Sequence, residues 1–173
     1  MTSLVLTLIG PDRPGLVELL AATLTRHHSN WLESRMAHLA GQFAGILLVE
    51  VPDADAKDLM TSLHELEAQG LRVVAERSST GDIEDPERAL VLELVGTDRP
   101  GIIREVSQAL AARGVNVDRL DTGCSTAPMS GETLFRASAH LRAPANLEIA
   151  ELRSDLEKIS TDLMVDIDLA DAP

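Results

Sequence analysis

The tetrapeptide Asp-Arg-Pro-Gly occurs twice, at 12–15 and at 98–101, and it is where residue type and spacing point most directly to binding chemistry. Asp12 and Asp98 are placed to cap the amides of a following helix. Pro14 and Pro100 suit a first helical turn, where a missing N–H costs nothing. Gly15 and Gly101 leave room for a backbone or a ligand to come close. A helix start of this kind offers free amides and positive dipole character, which suit a small carboxylate. Arg13 and Arg99 can neutralise that carboxylate, stay in solvent, or pair with acidic neighbours. The same residue types also serve a purely structural strand-to-helix turn. The doubling does not separate the two readings, since duplicates keep folding signals as well.

Other chemistries are less well supplied. His27 and His28 are adjacent at an expected helix end, where the dipole favours them, and His38 belongs on a strand. His64 and His140 have no Cys or carboxylate cluster at ligand spacing, so no metal is expected. Cys124 is the only cysteine, which excludes an intramolecular disulfide, and it lacks a His partner in sequence. No nucleophile–base pairing or phosphate loop is present, so the chain reads as a non-enzyme with no cofactor. Trp31 can pack in the core or line an inter-domain groove, and packing is the expectation. Asp53, Asp55, Asp58, Glu65 and Glu67 form either a solvated helix face or a surface for a basic partner.

The elements that hold the tetrapeptide are legible because the chain repeats. LVLTLIGPDRPGLV at 4–17 returns as LVLELVGTDRPGII at 90–103. The same register pairs Asn30 with Asn116. Phe43 pairs with Phe135 and Pro52 with Pro144 after a short insertion near STAPMSG, 125–131. Each copy reads as a strand, a turn, an amphipathic helix, two strands, a second helix and a final strand. In copy one these are a strand at 4–9, a helix over 14–28, strands 30–40 and 42–51 joined at Gly41, and a helix over 54–69 closed by Gly70. In copy two they are strand 90–95, helix 100–113 closed by Gly114, strands 115–124 and 132–142, helix 146–161 and an alternating last strand. The near-continuous apolar run LVLTLI predicts a central strand buried on both faces. The order βαββαβ, twice, predicts the α+β class: two ferredoxin-like units, each an antiparallel four-stranded sheet with both helices on one face. The expected division is 1–79, a polar linker at 80–88, and 89–173.

Composition narrows the function classes. The 173 residues carry 15 Lys and Arg against 28 Asp and Glu, a net charge of −13 that argues against direct nucleic-acid binding. Only 2% of residues are aromatic, too few for base-stacking platforms. No apolar run approaches a membrane span, and the N-terminus has no signal-peptide pattern, so a cytoplasmic location is expected. Edge strands of small sheets need covering, so the two units are expected to pair, within one chain or across a homodimer.

The sequences LIGPDRPGLV and LVGTDRPGII, each followed by a helix and an Asn at the next strand, resemble ACT domains. These are small regulatory modules that bind amino acids. A tandem pair over 3–170 resembles the glycine cleavage system transcriptional repressor family. The resemblance implies ligand contacts from the turn after strand one and the start of strand two. In copy one these are Gly10, Asp12, Arg13, Pro14, Gly15, Leu16 and Asn30; in copy two, Gly96, Asp98, Arg99, Pro100, Gly101, Ile102 and Asn116. It further implies glycine or a similar amino acid as effector and a DNA-binding regulator protein as partner. The alternative is a stand-alone regulatory ACT subunit controlling a metabolic enzyme. The second strands of the copies differ, so the two sites need not bind the same ligand.

Overall fold

A computed structural model describes residues 1–78 and 87–173. The chain divides into two compact units, Met1–Asp82 and Ile83–Pro173. Of the expected linker, 80–86 lie outside the described residues, and Glu87 and Arg88 already open a strand.

Unit 1 runs β1 (Thr2–Pro11), α1 (Leu16–Arg26), β2 (Asn30–Leu39), β3 (Gln42–Val51), α2 (Ala56–Glu65), a 3-10 turn (Leu66–Gln69) and β4 (Arg72–Arg77). Unit 2 runs β5 (Glu87–Thr97), α3 (Ile102–Ala112), β6 (Asn116–Thr126), β7 (Thr133–Pro144), α4 (Ile149–Leu163) and β8 (Val165–Asp171). The sheet orders are β2-β3-β1-β4 and β6-β7-β5-β8, antiparallel throughout. This is the α+β, ferredoxin-like arrangement that the repeat implies.

Burial explains why each sheet is one-sided. Leu4, Leu6 and Leu8 of β1 share a core with Leu47, Val49 and Val51 of β3 and Val73 of β4. Leu16, Leu20 and Leu24 of α1 and Leu59 and Leu63 of α2 close over the same side. Unit 2 repeats this with Leu90, Leu92, Leu94, Val106, Leu110, Leu152 and Leu156. Trp31 is half-buried against the unit 1 core, so it packs as expected.

One expectation fails here. β1 is central, but it is not buried on both faces: Val5 and Ile9 are 37% and 39% exposed while Leu4, Leu6 and Leu8 are buried. Both helices lie on one side, and the run LVLTLI cannot reveal that its second apolar set faces outward. Helix ends also shift: α1 and α3 are shorter than expected at both ends, while α4 starts later and ends later. The 14–28 helix is Leu16–Arg26, 100–113 is Ile102–Ala112, and 146–161 is Ile149–Leu163. The 54–69 helix splits into α2 and the 3-10 turn, which ends at Gly70 with φ 86°. The β2–β3 hairpin turns at Ala40 and Gly41, both at positive φ. The β6–β7 connection spans 127–132, where the insertion was expected.

Candidate functional site

The D-R-P-G turn is built differently from the cap that its sequence suggests. The N-cap residues are Gly15 (φ 92°, ψ 0°) and Gly101 (φ 97°, ψ −9°), and neither helix start has a side-chain cap. Asp12 and Asp98 are therefore not N-caps, and Pro14 and Pro100 precede the first helical turn instead of lying in it. The physical reason is the Pro-Gly pair. A glycine near φ 80–90°, ψ 0° is the third residue of a type II turn, which favours Pro just before it. The helix can begin only after that turn. Gly15 and Gly101 accept the first helical bonds, from the amides of Leu19 (2.9 Å) and Glu105 (3.0 Å). A side chain at Gly15 would meet no atom within 4 Å, so the positive φ, not close approach, is what requires glycine there.

Close approach belongs to Gly10 and Gly96. A Cβ on Gly10 would lie 2.1 Å from the carbonyl oxygen of Gly70, and one on Gly96 would lie 2.4 Å from Val165 Cγ1. Both glycines let the central strand pass against the start of the last strand. The aspartates are held through their backbones. The Asp12 amide donates to the Gly41 carbonyl (2.9 Å) and the Asp98 amide to the Thr133 carbonyl (2.8 Å), tying each turn to its β-hairpin. The Asp12 carboxylate lies 3.7 Å from His38 Nε2, an ion pair only when that ring is protonated.

Arg13 donates to the Gln69 carbonyl (2.6 Å), so its guanidinium joins the turn to the C-terminal end of the 3-10 segment. Among the described residues Arg99 has no such bond. Leu16 and Ile102 are buried in the cores at the helix starts. Asn30 lies across from Glu50, which pairs with Ser3. Seven residues of strand, about 23 Å, therefore separate its level from Gly10. Asn116 is level with Ala89, through Arg142, and is equally remote from Gly96. Within either unit, the turn and the asparagine are not brought together.

What gathers in unit 1 is a cavity of about 470 Å³ lined by Asp12, Arg13, Gly15, Leu16, Val17, Glu18, Ala21 and Phe43. The amides of Leu16, Val17 and Glu18 form the first helical turn beside it and have no intrahelical acceptor. Sequence reasoning missed Val17, Glu18, Ala21 and Phe43. Glu18 was findable as the acid in the first helical turn. Phe43 required the β1–β3 register, which sets it opposite Gly10. A hollow of about 220 Å³ at the unit 2 turn lies on a different side, lined by Pro100, Gly101, Glu105, Ile159, Asp162 and Leu163, of which Gly101 alone matches a residue of the unit 1 lining, Gly15. Asp98, Arg99 and Ile102 do not line it.

The histidines find local partners. His27 Nε2 is 2.9 Å from Ser62 Oγ, and His28 Nδ1 is 3.0 Å from Asp55 Oδ2. Among the described residues no group of three or more His, Cys, Asp or Glu is arranged to hold a metal. Cys124 is free and exposed on β6. Among the described residues no helix is long and apolar enough to cross a membrane.

Models of the ACT domain match residues 2–76 and 90–155. A solved structure from Galdieria sulphuraria, of unknown function, is 32% identical with a TM-score of 0.88, covering 99% of both chains. Another, named provisionally as a glycine cleavage system transcriptional repressor, has a TM-score of 0.72 at 22% identity. It covers 98% of this chain and 96% of its own, and its likeness is one of fold. Phosphoserine phosphatase SerB2 of Mycobacterium tuberculosis is 28% identical over 98% of this chain. A UPF0237 protein of Methanopyrus kandleri is 38% identical over 55 residues, 32% of this chain. The chain spans 41% of the length of the first and 61% of the second.

Proposed function

The chain belongs to the ACT-domain family, and from that premise we propose that it is a non-catalytic regulator that senses a small amino acid. Glycine or a close relative is the effector, and the signal passes to a DNA-binding protein, as in the glycine cleavage system repressors. The observation that carries this reading is the unit 1 cavity at the D-R-P-G turn. Its lining suits a zwitterion. The uncapped first-turn amides and Arg13 meet a carboxylate, while Asp12 and Glu18 meet an ammonium group. Binding there would favour one partner-binding state by its differential affinity for the two states. The free, exposed Cys124 is compatible with a reducing cytoplasm as the compartment.

A second reading has its own support. The similarity to SerB2 runs over nearly the whole chain, which favours a regulatory module controlling a metabolic enzyme. Calorimetric titration of the full chain with a panel of amino acids including glycine and serine tests the sensing step. Saturable heat from one or a few of them supports it, and no heat from any at millimolar concentration overturns it. Affinity capture from native extract, with and without the amino acid that binds, then separates the readings. Effector-dependent recovery of a DNA-binding protein supports the first, and recovery of an enzyme supports the second.

A further inference from the structure

The two units turn chemically different open sheet faces to solvent. Three rows of side chains cross the unit 1 sheet on the side away from its helices: Glu33–Leu48–Val5–Glu76, Arg35–Ile46–Thr7–Val74 and Ala37–Ala44–Ile9–Arg72. The equivalent rows of unit 2 are Arg119–His140–Val91–Ala170, Asp121–Ser138–Glu93–Asp168 and Gly123–Arg136–Val95–Asp166. Where unit 1 has Ile46, Leu48, Ala44 and Val74, unit 2 has Ser138, His140, Arg136 and Asp168. The second copy keeps the same sheet order with polar residues at these positions, so the fold does not require apolar ones. In unit 1, Ile46 and Val74 are nonetheless 49% and 52% exposed, beside Val5 and Ile9. A contiguous apolar face of this kind marks an interaction surface.

Charge identifies the occupant. The chain carries −13, so two copies repel over most of their surface. In these three rows unit 1 is neutral, with Glu33, Arg35, Arg72 and Glu76, while unit 2 has four acids against two arginines. Each edge strand of the unit 1 face carries one acid and one base. A two-fold axis running across the strands through the Thr7 row sets Arg72 of one copy over Glu76 of the other, twice. The same axis sets Ile9 over Val5 and Ala44 over Leu48, and stacks Ile46, Thr7 and Val74 on themselves. At the β2 edge it sets Glu33 over Ala37 and Arg35 on itself, each Arg35 being paired with Glu33 of its own copy (2.7 Å), so the attracting charge pairs are those of the β4 edge. An isologous contact needs this self-complementarity.

Size sets the strength. β1, β2 and β3 each have ten residues. Four strands at about 4.8 Å spacing and about 3.3 Å per residue give a face of about 600 Å² per copy. That is somewhat below the roughly 800 Å² per partner of a standard stable interface.

We propose that the open face of the unit 1 sheet is a homodimer interface, stacked on the same face of a second copy as a weak, concentration-dependent dimer. The proposal does not depend on the amino-acid-sensing function. Sedimentation velocity of the full chain across the micromolar range tests it. The perturbing variants import residues that unit 2 already carries at equivalent positions: Ile46→Ser and Val74→Asp. The expected result is a wild-type dimer whose dissociation constant rises at least about tenfold in either variant, with the circular dichroism unchanged. Arg72→Glu should weaken the dimer similarly, and Arg72→Glu with Glu76→Arg should restore it, because the reversed pair still attracts across the axis. A wild-type chain that stays monomeric, even where the face captures a different protein, overturns the proposal. So does a dimer that none of these variants affects.

Discussion

Gly10→Ala separates a fold requirement from a ligand requirement at one of the expected binding residues. The added Cβ would sit 2.1 Å from the Gly70 carbonyl oxygen and 3.2 Å from its carbon. Ordinary contact begins more than an ångström farther out, and the obstacle is backbone. Neither β1 nor the Gly70 turn can retreat cheaply, because Ile9 is paired with Arg72 and Gly70 is fixed at φ 86°. Overpacking of this kind costs about 1–3 kcal/mol, and immobile backbone puts this case near about 3. A unit of some 80 residues has about 4–12 kcal/mol of stability, so the loss is a large share. Trp31 is the only tryptophan and packs on the unit 1 core, so its fluorescence during urea unfolding reports this unit directly. A loss of about 3 kcal/mol lowers the urea midpoint by about 1–3 M. Gly15→Ala is the control. It meets no atom within 4 Å and carries only the left-handed strain of φ 92°, about 1–2 kcal/mol. The reasoning is refuted if Gly10→Ala unfolds with the wild-type midpoint, or later than Gly15→Ala, while effector binding is lost.

Ala40 has φ 49° at the first central position of the β2–β3 turn, before Gly41. Ala40→Asn should raise the melting temperature by a few degrees, in line with about 0.5–1 kcal/mol of relieved strain. Leu59 is fully buried on the core side of α2, so Leu59→Ala should cost about 2–5 kcal/mol by urea unfolding followed at Trp31. Arg113 bonds Asp155 (2.7 Å) and Glu151, tying the end of α3 to α4, and its guanidinium holds the Asp155 carboxyl below the usual range. A lowered carboxyl stabilises the fold fully above its ordinary titration range and loses that contribution as pH falls. Arg113→Gln should therefore melt below wild type at neutral pH, and the gap should close under acid.

Most of the fold was legible because its signals are local and doubled. Leu16, Leu20 and Leu24 recur at helical spacing, Gly41 and Gly70 mark real turns, and the repeat supplies the order of elements. Two things were hidden. The outward face of β1 is apolar in sequence, so Val5 and Ile9 read as core although both helices cover the other side. The site depends on register and on which turn a Pro-Gly pair makes. Asn30 belongs to the expected set by its place in the chain, but antiparallel pairing carries it to the far end of the sheet. Phe43 arrives at the turn by the same pairing and is invisible to a motif.

The duplicated tetrapeptide can now be divided between folding and whatever else it does. Pro14 and Gly15 are accounted for by the type II turn, and so are Pro100 and Gly101. The backbone amide of each aspartate is accounted for by its hairpin carbonyl, a bond that any residue except proline could make. Arg13 is accounted for in unit 1 by the Gln69 carbonyl. Folding leaves unexplained the carboxylate of Asp98, which caps nothing, whereas that of Asp12 lies 3.7 Å from His38 Nε2; among the described residues the guanidinium of Arg99 has no counterpart to the Arg13 bond. In unit 1, Asp12 stands on the cavity wall beside Arg13 and Glu18. Unit 2 changes the third helical residue from Glu18 to Arg104, and the hollow at its turn opens on another side, against Ile159, Asp162 and Leu163 of α4. The shared motif is thus mostly a shared turn, and the chemical difference between the copies lies in what surrounds it.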